Sequence, residues 1–167
     1  MDESDEQDYS PVIEMVIAWV KEFGKSWECE GDSSSRIKFA FERGGLMYTA
    51  TAIEEYEANL TLRVKLPLIG DTDALRIHDT LADINEARFV GSVTYHRTRS
   101  ELVWRDTLFL QDDAPEEDTE AEVATVEELI VEAVATFDAV RKRLAAFLCD
   151  TPTKADLSVM PAQGGRC

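Results

Sequence analysis

The sequence predicts an α+β domain in the order α-β-β-β-α-β-β-α, a five-stranded, largely antiparallel sheet packed against helices. Three observations predict it. Apolar residues recur at helical spacing near both ends of the chain, two-residue alternation fills its middle, and glycine-rich or polar breaks separate the alternating runs.

The first helix is capped by Ser10 and begins at Pro11, where a missing N–H costs nothing, and Gly24 supplies a left-handed stop. Val12, Val16, Trp19, Val20 and Phe23 fall on one face, and Ile13 and Ile17 widen it, so this helix is largely covered by the rest of the protein. The period then changes. Ile37, Phe39 and Phe41 alternate with Lys38, Ala40 and Glu42, Gly44-Gly45 makes a turn, and Leu46 to Glu54 completes a hairpin. Leu60, Leu62, Val64 and Leu66 alternate with Thr61, Arg63 and Lys65 until Pro67 ends a third strand. Trp27 and Cys29 are compatible with a short lead-in strand, and Gly31 to Ser35 with a loop.

Gly70-Asp71-Thr72 combines a stop with a cap, and Ala74, Ile77, Leu81, Ile84 and Ala87 stripe a second helix. Phe89 to His96 and Glu101 to Leu110 form a second hairpin around Arg97-Thr98-Arg99-Ser100. Residues 111–122 hold seven carboxylates and no cation, which is too repulsive for a packed element, so an acidic loop is expected. Thr125-Val126-Glu127-Glu128 has capping-box spacing and opens a long helix to about Cys149. Its seam is Val126, Ile130, Ala133, Phe137, Val140, Leu144 and Phe147. One domain over 10–150 results, with a disordered acidic arm at 1–9 and a disordered tail at 151–167.

Length and charge bound the function. The chain has 167 residues, a common single-domain size, with 44% hydrophobic and 31% charged residues, a globular profile. Lys and Arg number 17 against 34 Asp and Glu, a formal charge of −17. Such a surface repels phosphate backbones and anionic lipid, so nucleic acid and membrane are not expected partners, whereas basic or weakly charged proteins are. Three scattered cysteines, Cys29, Cys149 and Cys167, are no disulfide scaffold and point to a reduced, cytoplasmic compartment. The acidic start is unlike a signal peptide, and no apolar run reaches the roughly 18 residues a membrane span needs.

Catalytic signatures are absent: there is no Walker glycine loop, GxSxG, HExxH, CxxC or GxGxxG. His78 and His96 are the only neutral-pH bases, and neither has a patterned partner; a packed or surface role is the simpler reading of each. The cysteines lie too far apart in the element order for a shared metal, and the acidic run lacks EF-hand spacing. Glu54, Glu55 and Glu57 sit at a hairpin end without the surroundings of an acid/base pair. No cofactor, metal or catalytic residue is expected. Trp19, Phe23, Ile37, Phe39, Phe41 and Tyr48 either form one packed layer or leave part of it to a partner.

Four stretches carry a resemblance: LTLRVKLP at 60–67, LADINEARFVGSVTY at 81–95, ELVWRDTLFL at 101–110, and the terminal helix VEELIVEAVATFDAVRKRLAAFL. With the element order, size and acidity, the chain resembles the type III secretion chaperone-like superfamily and, within it, the YbjN domain family of bacteria. The resemblance covers about residues 10–148 and rests on structural rather than catalytic motifs. It implies a non-enzymatic α+β protein, commonly a homodimer. Secretion members wrap an extended effector segment along hydrophobic grooves, and YbjN-like members are described as regulators of sensory or stress responses. If the groove carries over, Val16, Trp19, Val20, Phe23, Ile37, Phe39 and Phe41 bind the partner. If the dimer carries over, Leu81, Ile84, Val93, Leu102 and Trp104 form its interface. The expected function is a protein-binding module for an extended peptide segment, the alternative a sensory or stress-response regulatory domain without a client, acting through the acidic loop or Cys167.

Overall fold

A computed structural model describes residues 9–29, 34–56, 59–68, 73–88, 90–109 and 119–149. Helix α1 (Pro11–Phe23) leads directly into strand β1 (Gly24–Cys29), followed by β2 (Arg36–Arg43), β3 (Leu46–Glu55) and β4 (Asn59–Pro67). Helix α2 (Ala74–Glu86), strands β5 (Ser92–His96) and β6 (Glu101–Phe109) and helix α3 (Thr119–Cys149) complete the order. The sheet has six strands rather than five, arranged β1-β2-β3-β4-β6-β5, with every neighbour antiparallel.

The additional strand explains one departure from the sequence reading. Gly24 does not stop α1 in the left-handed region; its φ of −77° and ψ of 166° are extended, and it starts β1 at once. The glycine is needed for closeness instead, because a Cβ there would lie 2.6 Å from Val20 Cγ1 and from the Val20 carbonyl oxygen. An edge strand with few inward positions carries little alternation, so its pattern is faint in sequence.

The alternation elsewhere is realised as one layer. A single row of register partners, Trp27, Phe39, Ala50, Val64, Trp104 and Val93, crosses all six strands. Five of the six are buried, and Ile37, Phe41, Leu60, Leu62 and Leu102 of neighbouring rows are fully so. Helices α1 and α3 pack against each other above this face, α1 also meeting β1, β2 and β3, while α2 lies over β5 and against α3. Ser10 caps α1 by accepting from the Ile13 N–H at 3.3 Å. Burial of Ile13, Val16 and Trp19, each 0% exposed, anchors the helix, each large side chain contributing about 1.5–3 kcal/mol.

Gly44 and Gly45, at φ +58° and +76°, form the turn between β2 and β3. The cap of α2 is Asp73, whose carboxylate accepts from the Leu75 N–H at 3.0 Å. The Gly70-Asp71-Thr72 signal lies outside the described residues, as do Phe89, the arm at 1–8 and the tail at 151–167.

Helix α3 begins at Thr119, six residues before the capping-box threonine. Thr125 is therefore internal, its hydroxyl donating back to the Ala121 carbonyl at 2.9 Å. The end of the acidic run is helical because carboxylates are favoured at a helix N-terminus; residues 111–118 lie outside the described residues. The seam from Val126 to Leu144 is buried as its spacing requires, with Ile130, Ala133, Phe137 and Val140 at 0% exposure. Among the described residues no helix is long and apolar enough to cross a membrane.

Candidate functional site

The seven residues expected to form a groove converge, but on one another. Val16, Trp19, Val20, Ile37, Phe39 and Phe41 are at most 3% exposed, because α1 lies on the sheet and α3 closes its flank. Trp19 packs within 5.6–5.8 Å, centroid to centroid, of Phe23, Phe39 and Phe41, and Phe41 stacks on Tyr48 at 5.2 Å. The packed-layer alternative is thus the arrangement observed. Phe23 alone of the seven reaches the surface, at 40% exposure. The five residues expected at a dimer interface are likewise interior: Leu81, Ile84, Val93, Leu102 and Trp104 are at most 4% exposed, since α2 lies over β5 and α3 meets both α2 and β6.

What reaches solvent near the groove positions is the junction of α1, β1, β2 and α3. Glu127, in an early turn of α3, accepts from the Trp19 indole Nε1 at 2.8 Å and from Arg43 Nη2 at 2.6 Å. The carboxylate thereby satisfies a buried indole N–H and ties three elements together; the ion pair itself, about one-third exposed on each side, adds little. Arg43 also sits 5.8 Å from the centre of the Phe23 ring, holding that aromatic at the surface. A shallow groove between the end of α1 and the start of α3 is lined by Glu22, Phe23, Glu120, Val123, Ala124 and Glu127. Its chemistry is apolar and acidic.

Beside it runs an unpaired sheet edge. β1 is the terminal strand, and among the described residues no strand lies beyond it. Trp27, 38% exposed, stands on that strand with Tyr9 against it edge-on at 6.2 Å. The opposite edge is treated differently. Asn85 of α2 accepts from the Val93 N–H at 2.9 Å and donates to the Val93 carbonyl at 2.8 Å, occupying groups with which a further strand would pair.

The candidate titratable groups do not assemble into a reaction centre. His78 is an exposed α2 residue with its ring 6.0 Å from that of Tyr95, and His96 is exposed at the end of β5. Glu54 and Glu55 are half-buried at the end of β3, Glu55 engaged by the Thr61 hydroxyl at 2.9 Å and by Arg105 at 3.5 Å; Glu57 lies outside the described residues. The Tyr48 phenol is pushed above its usual range by burial and by Asp138, with Arg141 acting against them. Among the described residues no group of three or more His, Cys, Asp or Glu could hold a metal ion. Cys167 and the side chains of Cys29 and Cys149 lie outside the described residues.

The sequence profile of a family described as "Putative bacterial sensory transduction regulator", YbjN, matches residues 13–139. The chain belongs to the YbjN family. The match spans α1 through most of α3 and so includes the whole sheet, both of its edges and the Trp19–Glu127–Arg43 junction. No curated protein and no solved structure is matched. The YbjN description is that of a regulator rather than of an enzyme.

Of the residues at this surface junction, sequence reasoning singled out Phe23 but not Trp27, Arg43 or Glu127. Trp27 carried a signal, a large aromatic between Ser26 and Glu28 in an otherwise polar stretch. The pairing of Arg43 with Glu127 joins residues 84 positions apart and leaves no local pattern.

Proposed function

We propose that this YbjN chain is a non-enzymatic regulatory protein that works by capturing an extended segment of a partner protein. The segment adds as a strand along the outer edge of β1 and sets apolar anchors against Trp27 and Phe23. The observation that carries this reading is the coincidence of an edge left open among the described residues with two aromatics beside it, each about two-fifths exposed. Main-chain pairing supplies affinity in strand addition, and alternate side-chain pockets supply selectivity. A few aromatic anchors carry most of the energy of such contacts. Glu22, Glu28 and Glu120 around the edge favour a segment with basic residues beside its apolar anchors.

The test is capture from the native host with the wild-type chain and with Phe23→Ala/Trp27→Ala, followed by hydrogen exchange on the complex. Loss of the captured partner in the double variant, with slowed exchange at 24–29 in the wild-type complex, is the expected result. Recovery of the same partner by the double variant, or protection confined to α2 and β5, overturns it.

A further inference from the structure

The face of the sheet turned away from the helices carries an inverted charge balance. Alternate residues of β4 place Arg63 and Lys65 on it, and Arg105 of β6 lies directly opposite Arg63 in the register. The row containing this pair runs Glu28, Lys38, Thr51, Arg63, Arg105, Ser92 across all six strands. Around the pair is a basin of about 400 Å³ lined by Arg63, Lys65, Arg99 and Arg105, with Thr94 and His96 among its remaining walls. The one carboxylate lining it is Glu101, held 3.8 Å from both Lys65 and Arg99 and accepting no hydrogen bond at its buried Oε1. Four cations against Glu101 and the neighbouring Glu55, which pairs with Arg105, leave a local charge of +2 in a chain whose formal charge is −17.

Folding does not call for this arrangement. Like charges directly opposite on neighbouring strands destabilise a sheet. Arg105 leans on Glu55 at 3.5 Å, but Arg63 has no ion pair among the described residues. Guanidinium forks side by side match the oxygens of phosphate or carboxylate groups, with lysine as a flanking point charge and hydroxyls as further donors. The volume lies at the small end of ligand sites, and the one ring in the walls is the His96 imidazole, with no Phe, Tyr or Trp to form a larger stacking platform. A long polyanion or an anionic membrane would extend beyond the basin over a surface dominated by carboxylates, whereas a compact anion would not.

The geometry points to this basin as a binding site for a small, multiply charged anion bearing phosphate or carboxylate groups, gripped between Arg63 and Arg105. The site is on a different surface from the β1 edge and stands independently of the partner reading.

The probes are inorganic pyrophosphate and citrate, titrated into the full chain at low ionic strength and followed by calorimetry and amide chemical shifts. Saturable binding of either, with shifts confined to 63–65, 92–96 and 99–105, is the expected result. Arg63→Gln and Arg105→Gln should each weaken it about tenfold or more, the scale of one charge-assisted contact. Both variants relieve like-charge repulsion, Arg105→Gln also losing its part-exposed pair with Glu55, so a thermal midpoint close to that of wild type shows that lost binding is not lost folding. Lys142→Gln, an equal charge change on exposed α3, should leave affinity unchanged. Absence of saturable binding overturns the assignment, as does equal weakening by Lys142→Gln. So does preferential binding of phosphatidic-acid vesicles or of a synthetic 111–122 peptide over both soluble anions.

Discussion

At the β5 edge a helix supplies the missing strand partner: Asn85 fills both main-chain groups of Val93 while α2 covers the strand from above. At the β1 edge nothing comparable is present among the described residues, and Trp27 stands exposed where a buried residue would cost less. Exposed strand edges invite pairing, and proteins commonly blunt them with charge, proline, bulges or cover. The β1 edge has Lys25 and Glu28 and a register irregularity between Gly24 and Ser26, a partial defence that stops short of Trp27. One edge is closed by a dedicated side chain and the other left able to pair, which makes the open edge the place to look for a partner.

The closed edge can be broken most severely at Gly91. Its φ is +66°, and a Cβ there would lie 2.6 Å from the Trp104 indole, which is itself fully buried. Gly91→Ala should cost about 3 kcal/mol, the sum of left-handed strain and overpacking. Urea unfolding monitored by tryptophan fluorescence measures it. A loss below about 1 kcal/mol would mean that β5 can shift without the rest of the sheet.

A milder change tests closure itself. Asn85→Ala leaves the Val93 amide and carbonyl without their partners and should cost about 2 kcal/mol. With the edge uncovered, the variant should also self-associate as concentration rises, measurable by sedimentation. A variant that is destabilised yet monomeric over the same range would assign Asn85 to fold stability alone and remove the contrast between the edges.

Much of this contrast rests on what a sequence does not display. The apolar faces of α1, β2, β4 and α3 were legible because burial imposes a period on consecutive residues: Ile37, Phe39 and Phe41 alternate, and Val126 through Leu144 step by three and four. The same periods do not say which other element covers each face, so Trp19 or Trp104 as core and as interface look alike in one dimension. In the fold α1 and α3 cover the groove positions, Leu81 and Ile84 of α2 face α3 and β5, and α3 packs on β6, which carries Trp104. Asn85 reaching Val93, Glu127 reaching Trp19 and Arg63 meeting Arg105 are contacts between separate elements, invisible until register and helix placement are known. Thr125 misled for a local reason: a threonine followed three residues later by glutamate is equally compatible with a helix interior once acidic residues upstream extend the first turns.

The smallest effect on stability belongs to the open edge, and there smallness is the informative result. Trp19 and Trp27 are the same residue eight positions apart, one 0% exposed and hydrogen-bonded to Glu127, the other 38% exposed. Trp19→Ala empties a core site and belongs with large aromatic truncations of about 3–5 kcal/mol. Trp27→Ala removes a ring that solvent and Tyr9 share, and should stay within about 1 kcal/mol of wild type. Thermal melts of Trp27→Ala alongside wild type check this. A near-silent Trp27 in the isolated protein means that folding does not account for keeping a large aromatic on an open strand, and leaves association with another chain as its use. A cost approaching that of Trp19 would instead make it part of the core, and the β1 edge would lose its claim as a docking surface.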